Sequence, residues 1–435
     1  MSDHEPPSTP DSASAASGQA GQRLICVVAV LVVGSALLWS SPEYRAGHLL
    51  VASVAAAFYA RSLLGPLVRR MGRAGTVFGG GLVLVHAASW LGGVLHGEGV
   101  LITSARGLAG LLGVLGLAVF AVVMLEARWR RFGKWTARGV LLLLVAGSYA
   151  GFFIGLDGFG TVGKYSFQFD QLRMALIWPT RMLTAPLGQI SWDHTNYAAF
   201  YFALALALVL EFLGSGGKGR GWWCLGVLLG TAVFLTASRS GWLMLAVAVP
   251  LVLGGRKPRF VLQTLGLLAL SVGLGYACLK VKLMQSPPTA QETSVVMATH
   301  GSALVKRGNS GRFEIYQLVW RELEGGRLCG QGLAAVGGPV GPLEHEHSVY
   351  MATLRGGGLI GLAGHLGVIG SAAWAAFGLM RRGLRWPAVL LAAVLSGLLF
   401  DRSTVIGISG NYEFIAHWVA VLLPLLLAAS WRDED

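Results

Sequence analysis

The sequence predicts an all-α polytopic membrane protein, a bundle of about twelve transmembrane helices with a large extramembrane loop containing amphipathic helix. Three observations predict it. Apolar residues make up 54% of the 435 positions and charged residues 13%, about half the charged share of a soluble domain. The apolar residues come in repeated runs of about 15–23, long enough to cross a hydrocarbon core as helices. The runs are continuous blocks rather than the alternating ten-residue strands of a closed barrel.

Taken in order, the candidate spans lie at 24–41, 46–60, 74–96, 107–126, 139–156, 195–213, 221–237, 241–255, 260–279, 356–380, 387–400 and 412–430. Residues 1–23, rich in Ser, Pro, Ala and Gly, read as a disordered cytoplasmic tail without a cleavable signal. Residues 24–430 then form one membrane domain, and 431–435 a short C-terminus. Four cysteines, Cys26, Cys224, Cys278 and Cys329, follow no disulfide or zinc spacing.

Charge orients the set. Alternate short loops hold Arg61, Arg69, Arg70 and Arg73; Arg128, Arg130, Arg131, Lys134 and Arg138; Lys218 and Arg220; Arg256, Lys257 and Arg259; and Arg381, Arg382 and Arg385. These are 17 basic residues against the single acidic Glu126. The positive-inside rule places these loops and both termini in the cytoplasm. The formal net charge of +13 is therefore mostly topogenic and no sign of a nucleic-acid partner.

Two long segments interrupt the hydrophobic rhythm, 157–194 and 280–347, and both fall on the opposite, extracytoplasmic side. In the second, Phe313, Tyr316, Val319, Trp320 and Leu323 recur at helical spacing between Arg312 and Glu324. This is an amphipathic helix lying along the membrane surface or capping the bundle. Asn309, Ser310 and Gly311 suit its start. Arg312 then stands at a helix N-terminus, where free N–H groups attract anions.

Several ionisable residues on that side need an explanation. Arg239 lies in the tight turn Thr236-Ala237-Ser238-Arg239-Ser240-Gly241. It is either a snorkelling or turn-capping arginine or a ligand for an anion at a cavity mouth, since a guanidinium fork suits phosphate oxygens. His347 lies in Glu344-His345-Glu346-His347-Ser348, where the second loop re-enters the membrane. It reads as a surface histidine between glutamates, as part of a His-Glu-His metal site, or as a general base. The glycines of Arg355-Gly356-Gly357-Gly358 would let a backbone or a lipid-linked substrate come close. His194 and Asn196 open another span, where Asp193 or Thr195 suits a helix cap. Asp401 and Arg402 are expected to pair, and His86, His365 and His417 to make buried polar contacts. Arginines and a candidate base on one face suit an anionic lipid-linked substrate with a diphosphate leaving group.

At these residues the chain resembles the O-antigen ligase family, within the group that includes Wzy polymerases and protein O-oligosaccharyltransferases. The carrying pattern is His347-Ser348, nine residues, Gly358, two residues and Gly361. Ser238-Arg239-Ser240-Gly241, Gly311-Arg312 opening the helix with Trp320, and His194-Thr195-Asn196 agree with it. The likeness extends by motif over about residues 190–375. It implies a GT-C-like membrane glycosyltransferase of the Gram-negative inner membrane, with its active site facing the periplasm. The donor would be a polysaccharide on undecaprenyl diphosphate, the acceptor lipid A–core oligosaccharide, and no metal, nucleotide sugar or other cofactor would be needed. His347 is the implied catalytic residue and Arg239 and Arg312 the diphosphate ligands, with His345, Arg355, His194 and Asn196 in support. A Wzy-like polymerase or a protein O-oligosaccharyltransferase would use the same donor. A transporter or flippase would instead favour ionisable groups near the midplane.

Overall fold

In a computed structural model, the structure describes residues 42–125, 195–217, 219–236, 238–285, 312–336, 340, 346, 348–399 and 412–430. The regular elements among these residues are all helical: α1 (Pro42–Met71), α2 (Arg73–Leu95), α3 (Val100–Leu125), α4 (Thr195–Gly214), α5 (Arg220–Thr236), α6 (Arg239–Leu253), α7 (Pro258–Gln285), α8 (Arg312–Glu322), a 3-10 turn (Leu323–Gly325), α9 (Val349–Arg381), α10 (Trp386–Gly397) and α11 (Tyr412–Ser430). Among the described residues, four stretches are long and apolar enough to cross a membrane: Arg73–Leu95, Val100–Val122, Pro258–Cys278 and Val349–Arg381. Five shorter apolar helices stand beside them. The expected spans 24–41 and 139–156, the loop 157–194, the tail 1–23, the residues 431–435 and the pair Asp401–Arg402 lie outside the described residues.

Ten expected spans coincide with described helices to within a few residues at their ends, with two changes of boundary that matter. Residues 46–60 belong to a 30-residue helix that carries Arg61, Arg69 and Arg70 within it, leaving Gly72 alone as the turn to α2. Helix α7 continues to Gln285, so the second long segment begins helically.

Two sub-bundles share α9, α10 and α11. Helix α2 lies along α9 in the most extensive interface, α1 packs on α3, and α11 touches both α1 and α3. On the other side α4 contacts α5, α6 and α10, and α7 packs on α5. A continuous core of Phe200, Phe202, Leu206, Met244, Phe414 and Trp418 and their neighbours runs between them. Phe58, Leu101, Trp374 and Leu262 are 83%, 83%, 77% and 69% exposed, as expected of helices whose outer faces meet lipid rather than water. Hydroxyls in the helices donate to carbonyls one turn back, as Ser89 does to Val85 and Thr103 to Gly99, which meets the need for internal partners in an apolar medium. Thr231 and Ser271 donate across the α5–α7 interface.

The described basic turns, around Arg220, Arg256–Arg259 and Arg381–Arg385, share one end of the bundle; the basic loop at 128–138 lies outside the described residues. There Arg256 donates to Glu211 Oε1 at 2.7 Å and to the Gly214 carbonyl at 2.5 Å. Arg385 donates to the Gly254 carbonyl. These two arginines staple neighbouring helix ends in addition to any topogenic effect.

Helix α9 departs most from expectation. Residues 356–380 read as one uniform span, yet the helix begins at Val349 and breaks at Gly358, whose φ of 60° and ψ of −159° belong to backbone that only glycine adopts readily. Its two halves fold back alongside each other. His365 Nδ1, in the second half, lies 3.2 Å from Thr353 Oγ1 in the first, and Tyr350 stacks on the same imidazole. The first half is therefore a re-entrant segment. Its N-terminus meets the C-terminal end of α10, where the Val349 amide donates to the Leu398 carbonyl. Helix α10 has only 12 residues, about 18 Å of rise against a core of about 30 Å. The meeting point is accordingly recessed into the bundle.

Candidate functional site

The break in α9 frees backbone groups that an apolar medium cannot satisfy. The chain supplies partners from the strap that follows α8. The Gln331 and Gly332 amides donate to the Arg355 and Gly356 carbonyls at 2.7 and 3.0 Å. The Leu359 and Ile360 amides donate to Arg327 and Leu328 at 2.9 and 3.1 Å. Contact is so close that a Cβ on Gly358 would lie 2.4 Å from the Leu328 carbonyl carbon, and one on Gly330 would lie 2.5 Å from the Gly358 nitrogen. The close approach expected at Gly356–Gly358 is thus made by the protein's own backbone. The strap also reaches the α2–α3 turn, where the Glu98 carboxylate accepts from the Ala334 amide and from Thr103.

Helix α8 caps this assembly. Ile315, Val319 and Leu323 are buried against Leu354 and Val340, with Met351 and Leu362 packed around them. The buried stripe is shifted from the one the periodicity suggests. Trp320 is 46% exposed and faces the Arg327 guanidinium, while Ile315 takes the inward position. The Tyr316 hydroxyl donates to the Leu399 carbonyl just beyond α10.

Arg239 is the first residue of α6, so it stands where unpaired helical N–H groups concentrate positive potential. It is half-buried. Around it, Thr236, Ser238 and Ser240 are buried and joined: the Ser238 amide donates to Thr236 Oγ1, and the Ser238 and Ser240 hydroxyls are 2.9 Å apart. This knot fixes the tight turn. Gly241 packs against Ala199 of α4, one turn beyond Asn196, so the Arg239 turn and the start of α4 are neighbours. Arg312 opens α8, as the spacing predicts.

These segments meet around one place, the end of α10. Gly397 packs against Phe200 of α4 and Met244 of α6, Leu398 receives the N-terminus of α9, and Leu399 receives Tyr316 of α8. The chain segments bearing Asn196, Arg239, Arg312 and Arg355 are brought to the same end of the bundle, opposite the basic turns. His347, His345 and His194 lie outside the described residues. The residues flanking His347, Glu346 and Ser348, are both buried, at 1% and 3% exposure.

Arg355, expected in support on the diphosphate or acceptor side, sits inside the packed assembly. It is buried, with Nη1 2.9 Å from Glu346 Oε1 and Nε 2.9 Å from Glu322 Oε2. The first is a directed hydrogen bond. The second is a charge contact without hydrogen-bond alignment. Two carboxylates already meet this guanidinium, which argues for an internal role. Sequence reasoning missed Glu322 and Glu346 as its partners. The available signal was the burial cost of an arginine inside an apolar helix, which demands a nearby carboxylate in a chain with few of them.

The midspan histidines are buried as expected, and their partners differ. His86 Nδ1 donates to the Leu82 carbonyl. The Thr353 hydroxyl donates to the Val349 carbonyl and lies 3.2 Å from His365 Nδ1. His417 stacks edge-on against His365 and Trp418, and both its ring nitrogens lack a hydrogen-bond partner among the described residues.

No curated protein matches the chain. A family model does, over residues 224–366, a stretch that runs from α5 through the strap to the second half of α9 and takes in Arg239, Arg312, His347 and Arg355 but not His194 or Asn196. That model is Wzy_C, O-Antigen ligase; it spans 143 of the 435 residues, and over this stretch the chain is similar to the O-antigen ligase family.

Proposed function

We propose that this protein is an O-antigen ligase, transferring a preassembled polysaccharide from undecaprenyl diphosphate to a hydroxyl of lipid A–core oligosaccharide at the periplasmic face of the inner membrane. The observation that carries the reading is the gathering of the family's motif segments around the recessed end of α10, within an apolar-surfaced bundle. Arg239 and Arg312 hold the diphosphate. Both open helices, so backbone N–H groups add to their charge. His347 takes the proton of the acceptor hydroxyl as that oxygen bonds to the anomeric carbon. The bond from that carbon to the diphosphate oxygen breaks, and its electron pair leaves with the phosphate. A single displacement inverts the anomeric carbon.

Stabilising charge on a leaving group by a placed donor is worth about 10²–10³-fold per contact, and a general base about 10²–10⁴-fold. His347→Ala, Arg239→Ala and Arg312→Ala should each lose transfer by those factors in membranes holding normal amounts of protein. The deciding assay uses purified protein in detergent with a lipid-linked glycan, with and without chelator. Lipid A–core, a second lipid-linked repeat and a pilin-like protein are offered as acceptors. Transfer to lipid A–core supports the ligase; transfer only to the second repeat or to protein moves the function to a polymerase or an O-oligosaccharyltransferase. Undiminished transfer by His347→Ala removes the base.

A further inference from the structure

Arg355 occupies the last turn before the break in α9, and its two partners come from different parts of the chain. Glu322 closes α8. Glu346 precedes the N-terminus of α9 by three residues and directly adjoins His347. The guanidinium therefore joins the far end of the re-entrant half, the stretch that enters it, and the capping helix. We propose that the Glu322–Arg355–Glu346 cluster positions the reaction centre, with Arg355 as a positioning residue that fixes the chain at Glu346 and thereby the pose of the neighbouring His347. This rests on the reading of His347 as the base.

The arrangement suits that task for physical reasons. Arg355 is 7% exposed and Glu346 1%, so their attraction is little screened and the pair has no cheap alternative in water. A guanidinium can direct Nη1 at Glu346 while its Nε side meets Glu322 as a charge contact, which a point-like ammonium cannot do. The strap adds backbone bonds at the same point: Gln331 donates through its amide to the Arg355 carbonyl and through its side chain to the Glu322 carbonyl. The result is a closed frame around the entry to α9. A base must be held within about an ångström of its productive place, and such a misplacement costs about 10²-fold.

The test uses full-length protein in detergent with lipid-linked glycan and lipid A–core, and three variants: Arg355→Lys, Arg355→Met and Glu322→Gln. Glu322 is 27% exposed, so Glu322→Gln keeps the protein folded if either arginine variant does not. Transfer is read as kcat and donor KM, and backbone hydrogen exchange is followed over residues 340–352. The expected result is a kcat lowered about 10²-fold in Arg355→Met, less in Arg355→Lys and Glu322→Gln. Donor KM stays within about twofold, and exchange rises at 340–352. A donor KM raised with exchange unchanged would overturn the proposal and make Arg355 a donor ligand. Unchanged kcat and exchange would overturn it as well. Wild-type protein without transfer to lipid A–core would defeat the ligase reading alone. Faster exchange in the variants would then still support the frame, and unaltered exchange would sink it.

Discussion

Adding one methyl group at Gly358 should cost about 3–5 kcal/mol of stability. Two terms make up that figure. The backbone angles of 60° and −159° fall in a region that costs a residue with a side chain about 1–3 kcal/mol. The added Cβ would also lie 2.4 Å from the Leu328 carbonyl carbon and oxygen and 2.5 Å from the Gly330 nitrogen. These are backbone atoms and cannot rotate away. Relieving the clash means parting the strap from α9, which gives up the Leu359–Arg327 and Ile360–Leu328 bonds at about 1 kcal/mol each. Gly370→Ala is the control: it lies on the same helix with nothing within 4 Å of its added Cβ, where alanine is favoured by about 0.5–1 kcal/mol. Both variants would be unfolded reversibly by SDS titration in mixed micelles. A Gly358→Ala protein as stable as Gly370→Ala would refute the broken, strapped form of α9.

Two other perturbations test separate parts of the structure by the same titration. Arg256→Met should destabilise the protein by about 3–5 kcal/mol, because it leaves the Glu211 carboxylate, 4% exposed, without its cation, whereas Arg259→Met at an exposed position should change little; equal effects would mean that these arginines act only as topogenic charges. His417→Phe should be neutral or stabilising by about 1 kcal/mol, since it removes two buried nitrogens without hydrogen-bond partners among the described residues while keeping an aromatic ring beside His365 and Trp418; a loss above 1 kcal/mol would show that the imidazole has a polar partner.

Helices were legible wherever hydrophobicity alone decides, because an apolar run of sufficient length has one satisfactory conformation in lipid. The start of α8 at Arg312 was legible for a similar local reason, a polar turn followed by helical spacing. The inward face of α8 was not. Ile315 and Trp320 are both apolar and lie on either side of the stripe, and only the surface of α9 beneath them selects Ile315. The break at Gly358 was hidden because residues 349–381 stay apolar across it. A glycine-rich stretch signals close approach without naming what approaches, and here the visitor is the strap from 327–332, some thirty residues earlier. The partners of Arg355 were hidden for the same reason, since pairing across the fold leaves no periodic trace.

The arginines at the end opposite the basic turns divide by their place in the fold. Arg355 lies inside the packed assembly, where an unpaired cation would be costly, and it is accompanied by Glu322 and Glu346. Arg239 and Arg312 each begin a helix, where free backbone N–H groups favour an anion alongside the guanidinium. In a chain with 21 acidic and 34 basic residues, placing two carboxylates on one arginine is a use of scarce charge. A scaffold that needed Arg355 for an incoming diphosphate would have to break both contacts first, against the attraction of two carboxylates. One that needs it to hold the entry to α9 gains from both. On the proposed reading the two settings are complementary: Arg355, paired with Glu322 and Glu346, holds the entry to α9, and the helix starts at Arg239 and Arg312 are where a diphosphate would bind.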